Sequence, residues 1–450
     1  MTVDLLNSDS KAMRLQHLRA MVQAQREAGG ATPRTEEVNN HIHTQYSFSP
    51  YSPAAAAWQA ARAGLQAAGI MDHDSIAGAE EMLEACKIIG IGSTAGFELR
   101  VDCGGTALAG RKINNPDSLS IAYMAIHGIP RLAIPEVARF LEPLQKARNL
   151  RNRVMVALLN ERLKELGVPS IDYERDVYAC SLAAQGGAIT ERHILAALAR
   201  KLIDLVGREG QVVGFLKTRL KLDLPDKMVA VLSDPANPHY LYDLLGILKA
   251  SFLPSFFIQP GSDECIPVRQ AVNFALQIGA IPAYAYLGDV TASPTGDKKA
   301  EKFEDDYLDL LFEELVKLGF RAVTYMPPRN SLVQLQRVQG LCARSGLMEI
   351  SGVDINSSRQ SFSCPEIMQP AFRHLIGATW ALIAHEKLAS CEAHLSLFDP
   401  ANPCAAMPLV DRLQIYAKVG AAMEPCHPEE VLTVAARLFP GTFTDVKRSC

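Results

Sequence analysis

The residues of this chain best placed to do chemistry begin with His41-Ile42-His43-Thr44, which follows Glu37-Val38-Asn39-Asn40. Two histidines separated by one residue on an extended segment project to the same side, because side chains alternate across a strand. They can therefore hold one cation between them. Two more acid or imidazole groups follow: Asp72-His73-Asp74 after Gly69-Ile70-Met71, and Glu98 after Ala95-Gly96-Phe97. A third and fourth ligand arriving from the next strands would complete a metal centre of the mixed imidazole and carboxylate kind that accommodates zinc, manganese or iron. Further along, His127 closes the apolar run Tyr123-Met124-Ala125-Ile126, and Asp354 follows Ser351-Gly352-Val353.

The elements that must position these groups alternate. A polar helix over residues 11–28 reads as a packing arm. Ser52-Pro53 is a good N-cap and first-turn pair for an Ala-rich helix running to about Gln66, and Gly69 to Met71 then reads as a buried strand. A helix over 77–89 leads to a strand over 93–97, with Glu98 expected at its end. The rhythm returns late in the chain. Helices over 267–278, 301–318 and 331–345 each lead into a strand, at 280–286, 320–325 and 347–353. Alternating strands and helices imply parallel strands with crossover helices, closing naturally as a barrel whose chemistry sits at the C-terminal strand ends. Between the two blocks, residues 131–245 carry helical patterns and read as an inserted helical lobe over the barrel mouth. The expected division is an N-terminal arm over 1–30, barrel over 31–130 and 246–400, lobe over 131–245 and a helical extension over 401–450. The basic run Lys146 to Arg153 reads as a solvated helix face.

Composition sets limits on function. The 450 residues are 48% hydrophobic, enough to bury one large core or two moderate ones, and the net charge of −4 argues against a general footprint for nucleic acid. The N-terminus has no basic segment followed by an apolar run, and no stretch approaches the ~20 apolar residues of a membrane span. Ten scattered cysteines without a Cys-x-x-Cys pair suggest buried thiols in a reducing compartment. A cytoplasmic protein that does not engage membranes is expected.

The ordered set His41-Ile42-His43-Thr44-Gln45-Tyr46-Ser47, Gly69-Ile70-Met71-Asp72-His73-Asp74-Ser75 and Gly96-Phe97-Glu98 resembles the opening motifs of the PHP (polymerase and histidinol phosphatase) superfamily. Thr190-Glu191-Arg192-His193 resembles the segment by which members with a helical insertion return a histidine to the site. Ser351-Gly352-Val353-Asp354-Ile355-Asn356 resembles the closing motif. The resemblance spans roughly residues 36–390. It implies an α/β fold, a distorted (β/α)7 TIM-like barrel with an inserted helical lobe. It also implies one to three divalent metal ions (Zn, Mn or Fe) held by His41, His43, His73, Glu98, His127, His193 and Asp354.

Three positions depart from the family pattern. Ser47-Phe48-Ser49 stands where an aspartate is usual, Tyr286 where a histidine is usual, and Asn356 where the second closing ligand is usual. The expected chemistry is metal-activated attack of water on a small phosphorylated metabolite or nucleotide. Glu98 would bridge cations, with Asp72 or Asp354 orienting the water or acting as base. Arg329 and Arg359 would bind phosphate, with Lys298 and Lys299 reaching in from a loop. The alternatives are hydrolysis of a carbon-nitrogen or carboxylic ester bond on an amidohydrolase-like barrel, and a barrel that binds a metal or metabolite without turnover.

Overall fold

A computed structural model describes residues 3–30, 33–115, 118–208, 210–289 and 304–443. Lys298 and Lys299 lie outside the described residues. Seven strands follow one another around a nearly closed ring: β1 (Val38–Ile42), β2 (Ala67–His73), β3 (Gly92–Asp102), β4 (Ile121–His127), β6 (Ile281–Ala285), β7 (Ala322–Tyr325) and β8 (Met348–Ser351). The two-residue β5 (Ile266–Pro267) pairs only with the far end of β3. The ring closes where Ile42 bridges Ile355 in parallel: His43 N–H donates to the Ile355 carbonyl at 3.0 Å, and Ile355 N–H to the His41 carbonyl at 3.1 Å.

Most strands are parallel, as alternation requires, but β4 runs antiparallel to both β3 and β6. This corrects the expectation of a uniformly parallel ring. Among the described residues between β3 and β4 no helix carries the chain back to the starting end, and the next strand returns in the opposite direction. A second correction concerns Glu98, which lies inside β3 and not at its end. Beyond Glu98 the strand leaves β2, whose last pair is His73 with Glu98, and continues to Asp102 against β4.

Helices α1 (Lys11–Glu27), α2 (Pro53–Arg62) and α3 (Ala79–Ile89) flank the first strands. Ser52 caps α2 by accepting from Ala55 N–H at 3.0 Å, and Pro53 presets its first turn. The run Ala54 to Ala57 is fully buried, so the small side chains let the helix lie close to its neighbours. α4 (Ile134–Leu166) is a single helix of 33 residues, about 50 Å long at 1.5 Å per residue. Its first half, with Val137, Leu141 and Leu144, packs in the barrel core; its second half, with Met155, Leu159 and Leu163, packs in a separate core. That second core is completed by α5 (Glu191–Val206), α6 (Gln211–Thr218), α7 (Asp226–Ser233) and α8 (Tyr240–Ser251). The barrel resumes with α9 (Val268–Gln277), α10 (Leu308–Leu318) and α11 (Leu332–Ser345), the last with a capping box of Ser331 and Gln334. α12 (His374–Cys391), α13 (Leu409–Ala422) and α14 (Val431–Leu438) pack as a terminal layer. Among the described residues, no helix is long and apolar enough to cross a membrane.

Candidate metal centre

His41, His43, His73, Glu98 and Asp354 meet at one end of the ring. Their ligand atoms form two groups, His41 with His43 and Asp354, and His43 with His73 and Glu98, all within 4.8 Å inside each group. His43 belongs to both. The Glu98 carboxylate spans them: Oε1 lies 2.8 Å from His73 Nδ1 and 3.4 Å from His43 Nε2, while Oε2 lies 3.6 Å from His41 Nε2. Asp354 Oδ1 approaches His43 Nε2 at 3.3 Å.

The geometry shows convergence without mutual satisfaction. His43 Nε2 is fully buried and makes no well-formed hydrogen bond, although two carboxylates sit beside it. Both ring nitrogens of buried His127 also lack a partner. A buried polar group without a partner costs about 1–3 kcal/mol, so several in one place call for something to occupy their lone pairs. The electrostatics agree. Burial alone would lower the His43 pKa, but Asp354, Glu98 and Asp72 outweigh it and raise it above its usual value. Burial would raise the Glu98 carboxyl, but His73 and His41 hold it well below the carboxylate range. Asp354 is held low in the same way, against burial, chiefly by His43. The surroundings favour positive charge amid the carboxylates, and the donor set of imidazoles and carboxylates fits a divalent cation.

The imidazole of His43 is oriented from behind. The Ser47 hydroxyl donates to Asp72 Oδ1 at 2.6 Å, so its oxygen is left to accept from His43 Nδ1 at 3.2 Å. That tautomer leaves the Nε2 lone pair facing Glu98 and Asp354. Asp72 also accepts from Thr44 N–H at 2.7 Å and from the Thr44 hydroxyl at 2.6 Å. Asp72, expected to orient water or act as base, thus accepts three hydrogen bonds from Thr44 and Ser47. Close packing at the seam accounts for the glycine of the closing motif, since a Cβ on Gly352 would lie 2.5 Å from that of His41.

Other sequence expectations are redirected. His127 ends β4, and burial holds its pKa down at about 3, with His41 adding to the effect. It belongs to neither close ligand group. His193 is also outside both. It is an N-terminal capping residue of α5 whose Nδ1 accepts from Thr190 N–H at 3.1 Å, with Phe48 against its ring. Asn356 is no free ligand either: its Oδ1 accepts from Arg192 at 2.8 Å and its Nδ2 donates to Asp354 Oδ1 at 2.6 Å. The Tyr286 hydroxyl donates to Asp305 at 2.6 Å, away from the imidazoles.

The expected phosphate donors are engaged elsewhere. Arg329 Nε donates to the Leu287 carbonyl at 3.1 Å. Arg359 makes a bidentate pair with Asp243 of α8, at 2.5 and 2.7 Å. The basic run on α4 is only in part a solvated face: Lys146 and Arg153 are exposed, but Arg148 and Arg151 are buried, with Arg100, against Glu191, Glu264 and Asp74. Sequence reasoning missed Arg192, although it adjoins His193, and missed Tyr123, whose ring lies 5.9 Å from that of His73. Tyr123 could have been found, since it lies four residues before His127 and so on the same face of β4.

Residues 39–228 match the family model described as the PHP domain. Among solved structures, the chain is similar to an amidohydrolase from Chromobacterium violaceum with sulfate bound and no metal. That match has 18% identity and a TM-score of 0.47, over 76% of this chain and 96% of that one. It is also similar to a proposed metal-dependent phosphoesterase from Bifidobacterium adolescentis, with 18% identity and a TM-score of 0.48, over 77% of this chain and 97% of that one. No curated protein matches the chain.

Proposed function

We propose, from the match of residues 39–228 to the PHP domain model, that the protein is a metal-dependent hydrolase acting on a small phosphorylated metabolite or nucleotide. The observation that carries this reading is the His43 Nε2 atom, buried between two carboxylates and two further imidazoles without a hydrogen bond of its own. His41, His43, His73, Glu98 and Asp354 would hold one or two divalent ions of zinc, manganese or iron. Such ions lower the pKa of bound water and offset the charge that develops on a phosphoryl group.

The chain's own residues do the rest. Glu98 presents one oxygen to His41 and the other to His43 and His73, the arrangement a bridging carboxylate needs. Ser47 and Asp72 fix the His43 tautomer. Asn356 donates to Asp354 Oδ1 and so restrains the carboxylate expected to orient water. The test is elemental analysis of the purified protein combined with phosphate release from a panel of sugar phosphates and nucleotides supplied with manganese or zinc. Bound metal with turnover of at least one phosphomonoester is expected; absence of both would refute the reading.

A further inference from the structure

A phosphoryl group at this rim needs cationic donors; of the arginines first expected there, Arg359 is paired with Asp243 and Arg329 donates through Nε to the Leu287 carbonyl. The buried arginines are spent as well, since Arg100, Arg148 and Arg151 share Glu191, Glu264 and Asp74. Arg192 is different. It stands in the first turn of α5, half-buried, and its NH1 donates at 2.8 Å to the Asn356 side-chain oxygen. Among the described residues it forms no ion pair with a carboxylate. Asn356 in turn donates to Asp354 Oδ1, which faces His43 Nε2 at 3.3 Å. The guanidinium is therefore two hydrogen bonds from a candidate metal ligand, with most of its N–H donors unused by protein acceptors.

A long cationic side chain held by one bond to a neutral amide is a poor structural tie. The lobe is already joined to the closing loop by the bidentate Arg359–Asp243 pair, which does that work with full charge complementarity. What Asn356 achieves is aim: it holds one guanidinium nitrogen at 2.8 Å while its own amide nitrogen donates to the candidate ligand Asp354. An imidazole at position 356 would offer no amide oxygen for this purpose.

We propose that Arg192 is the anion-recognising residue of the site, binding the non-bridging oxygens of a phosphomonoester or its phosphate product while Asn356 holds it in place. The inference rests on the reading of the site given above and names the group that selects a phosphorylated substrate. It also assigns a role to the asparagine at 356, as an acceptor for arginine.

The probe is inorganic phosphate, titrated calorimetrically into full-length protein loaded with manganese, with metal content measured on each sample. Arg192→Ala should keep its metal and weaken phosphate binding roughly 10- to 100-fold, the range expected for losing charge-assisted hydrogen bonds. Arg192→Lys should recover part of the loss. Arg359→Ala should bind phosphate like the wild type while losing thermal stability, which separates anion recognition from lobe docking. Phosphate binding by Arg192→Ala equal to wild type, or no phosphate binding by metal-loaded wild type, overturns the proposal. The two readings fail separately. Binding through Arg192 without turnover of any phosphomonoester leaves the subsite standing and removes the proposed activity. Turnover with an unchanged KM in Arg192→Ala removes the subsite and leaves the activity.

Discussion

Two clusters of charge lie side by side in this molecule and are built on opposite principles. In the first, His41, His43, His73, Glu98 and Asp354 converge, and His43 Nε2 at their centre is left without a hydrogen bond. In the second, Arg100, Arg148 and Arg151 meet Glu191, Glu264 and Asp74 as three cations against three anions. Arg151 alone donates to Glu264, Glu191 and the Ile258 carbonyl, at 2.6 to 3.0 Å. The clusters interleave in sequence: His73 belongs to the first and Asp74 to the second, and on β3 Glu98 and Arg100 share one face. The difference teaches where to look for chemistry. A buried cluster in which every charge meets an opposite charge holds elements together, whereas one that gathers imidazole and carboxylate lone pairs at a common point requires a partner from outside.

The sharpest way to break this comparison is at the open cluster. Replacing His41 and His43 together by alanine should abolish bound metal and reduce hydrolysis to background while the fold survives. Retained metal, measured by elemental analysis, would mean that the two clusters do not differ as argued. At the closed cluster the expected loss is of stability. Glu264→Ala leaves buried guanidinium groups uncompensated, which costs about 3–5 kcal/mol; denaturant unfolding followed by a probe in the lobe should show it, and a change below ~1 kcal/mol would deny the cluster its structural role.

A smaller effect tests the group that supports the open cluster without joining it. Asp72→Asn should weaken metal affinity about 10- to 100-fold, because it disturbs the Ser47 bond that sets the His43 tautomer. Metal titration of the variant against wild type checks this, and undiminished affinity would show that Asp72 matters only to the backbone at Thr44. The gentlest test is acid. The Glu264 carboxyl is pulled below its usual 4.5 by Arg148, Arg100 and Arg151, which together outweigh burial. A depressed carboxyl stabilises the fold above its unfolded pKa and loses that contribution as pH falls through the folded value. Stability should therefore be insensitive to this cluster from pH 8 to 5 and decline below about 4.5, and the decline should be smaller in Glu264→Gln.

Much of this was legible in the sequence for a physical reason. Acid and imidazole groups that follow short apolar runs and a helix cap such as Ser52-Pro53 are local patterns, so His41, His43, His73, Glu98 and Asp354 could be read in order, although Glu98 proves to lie inside β3. The alternation that announces a barrel is equally local, as are the boundaries of α9 and α11; α10 ends where expected but begins only at Leu308, not at 301. What failed depends on partners far away in the chain. The basic face of α4 looks solvated until Glu264, more than a hundred residues on, is placed against it. Arg359 looks free until Asp243 is found across the lobe. The direction of β4 goes with the lack of a helix among the described residues between β3 and β4. Asn356 reads as a weakened ligand by type, and only its contact with Arg192 gives it another use.

The seam of the barrel carries one more consequence, for the order in which the molecule can be made. Asn40 Nδ2 binds the Ser351 carbonyl across 311 residues, and His43 meets Asp354 only where β8 comes home to β1. A chain emerging from the ribosome holds its first histidines exposed, without their final partner, through the synthesis of the whole lobe. Completion of the rim is therefore among the last events of folding, and a cation captured earlier would be held by fewer groups than the finished protein offers.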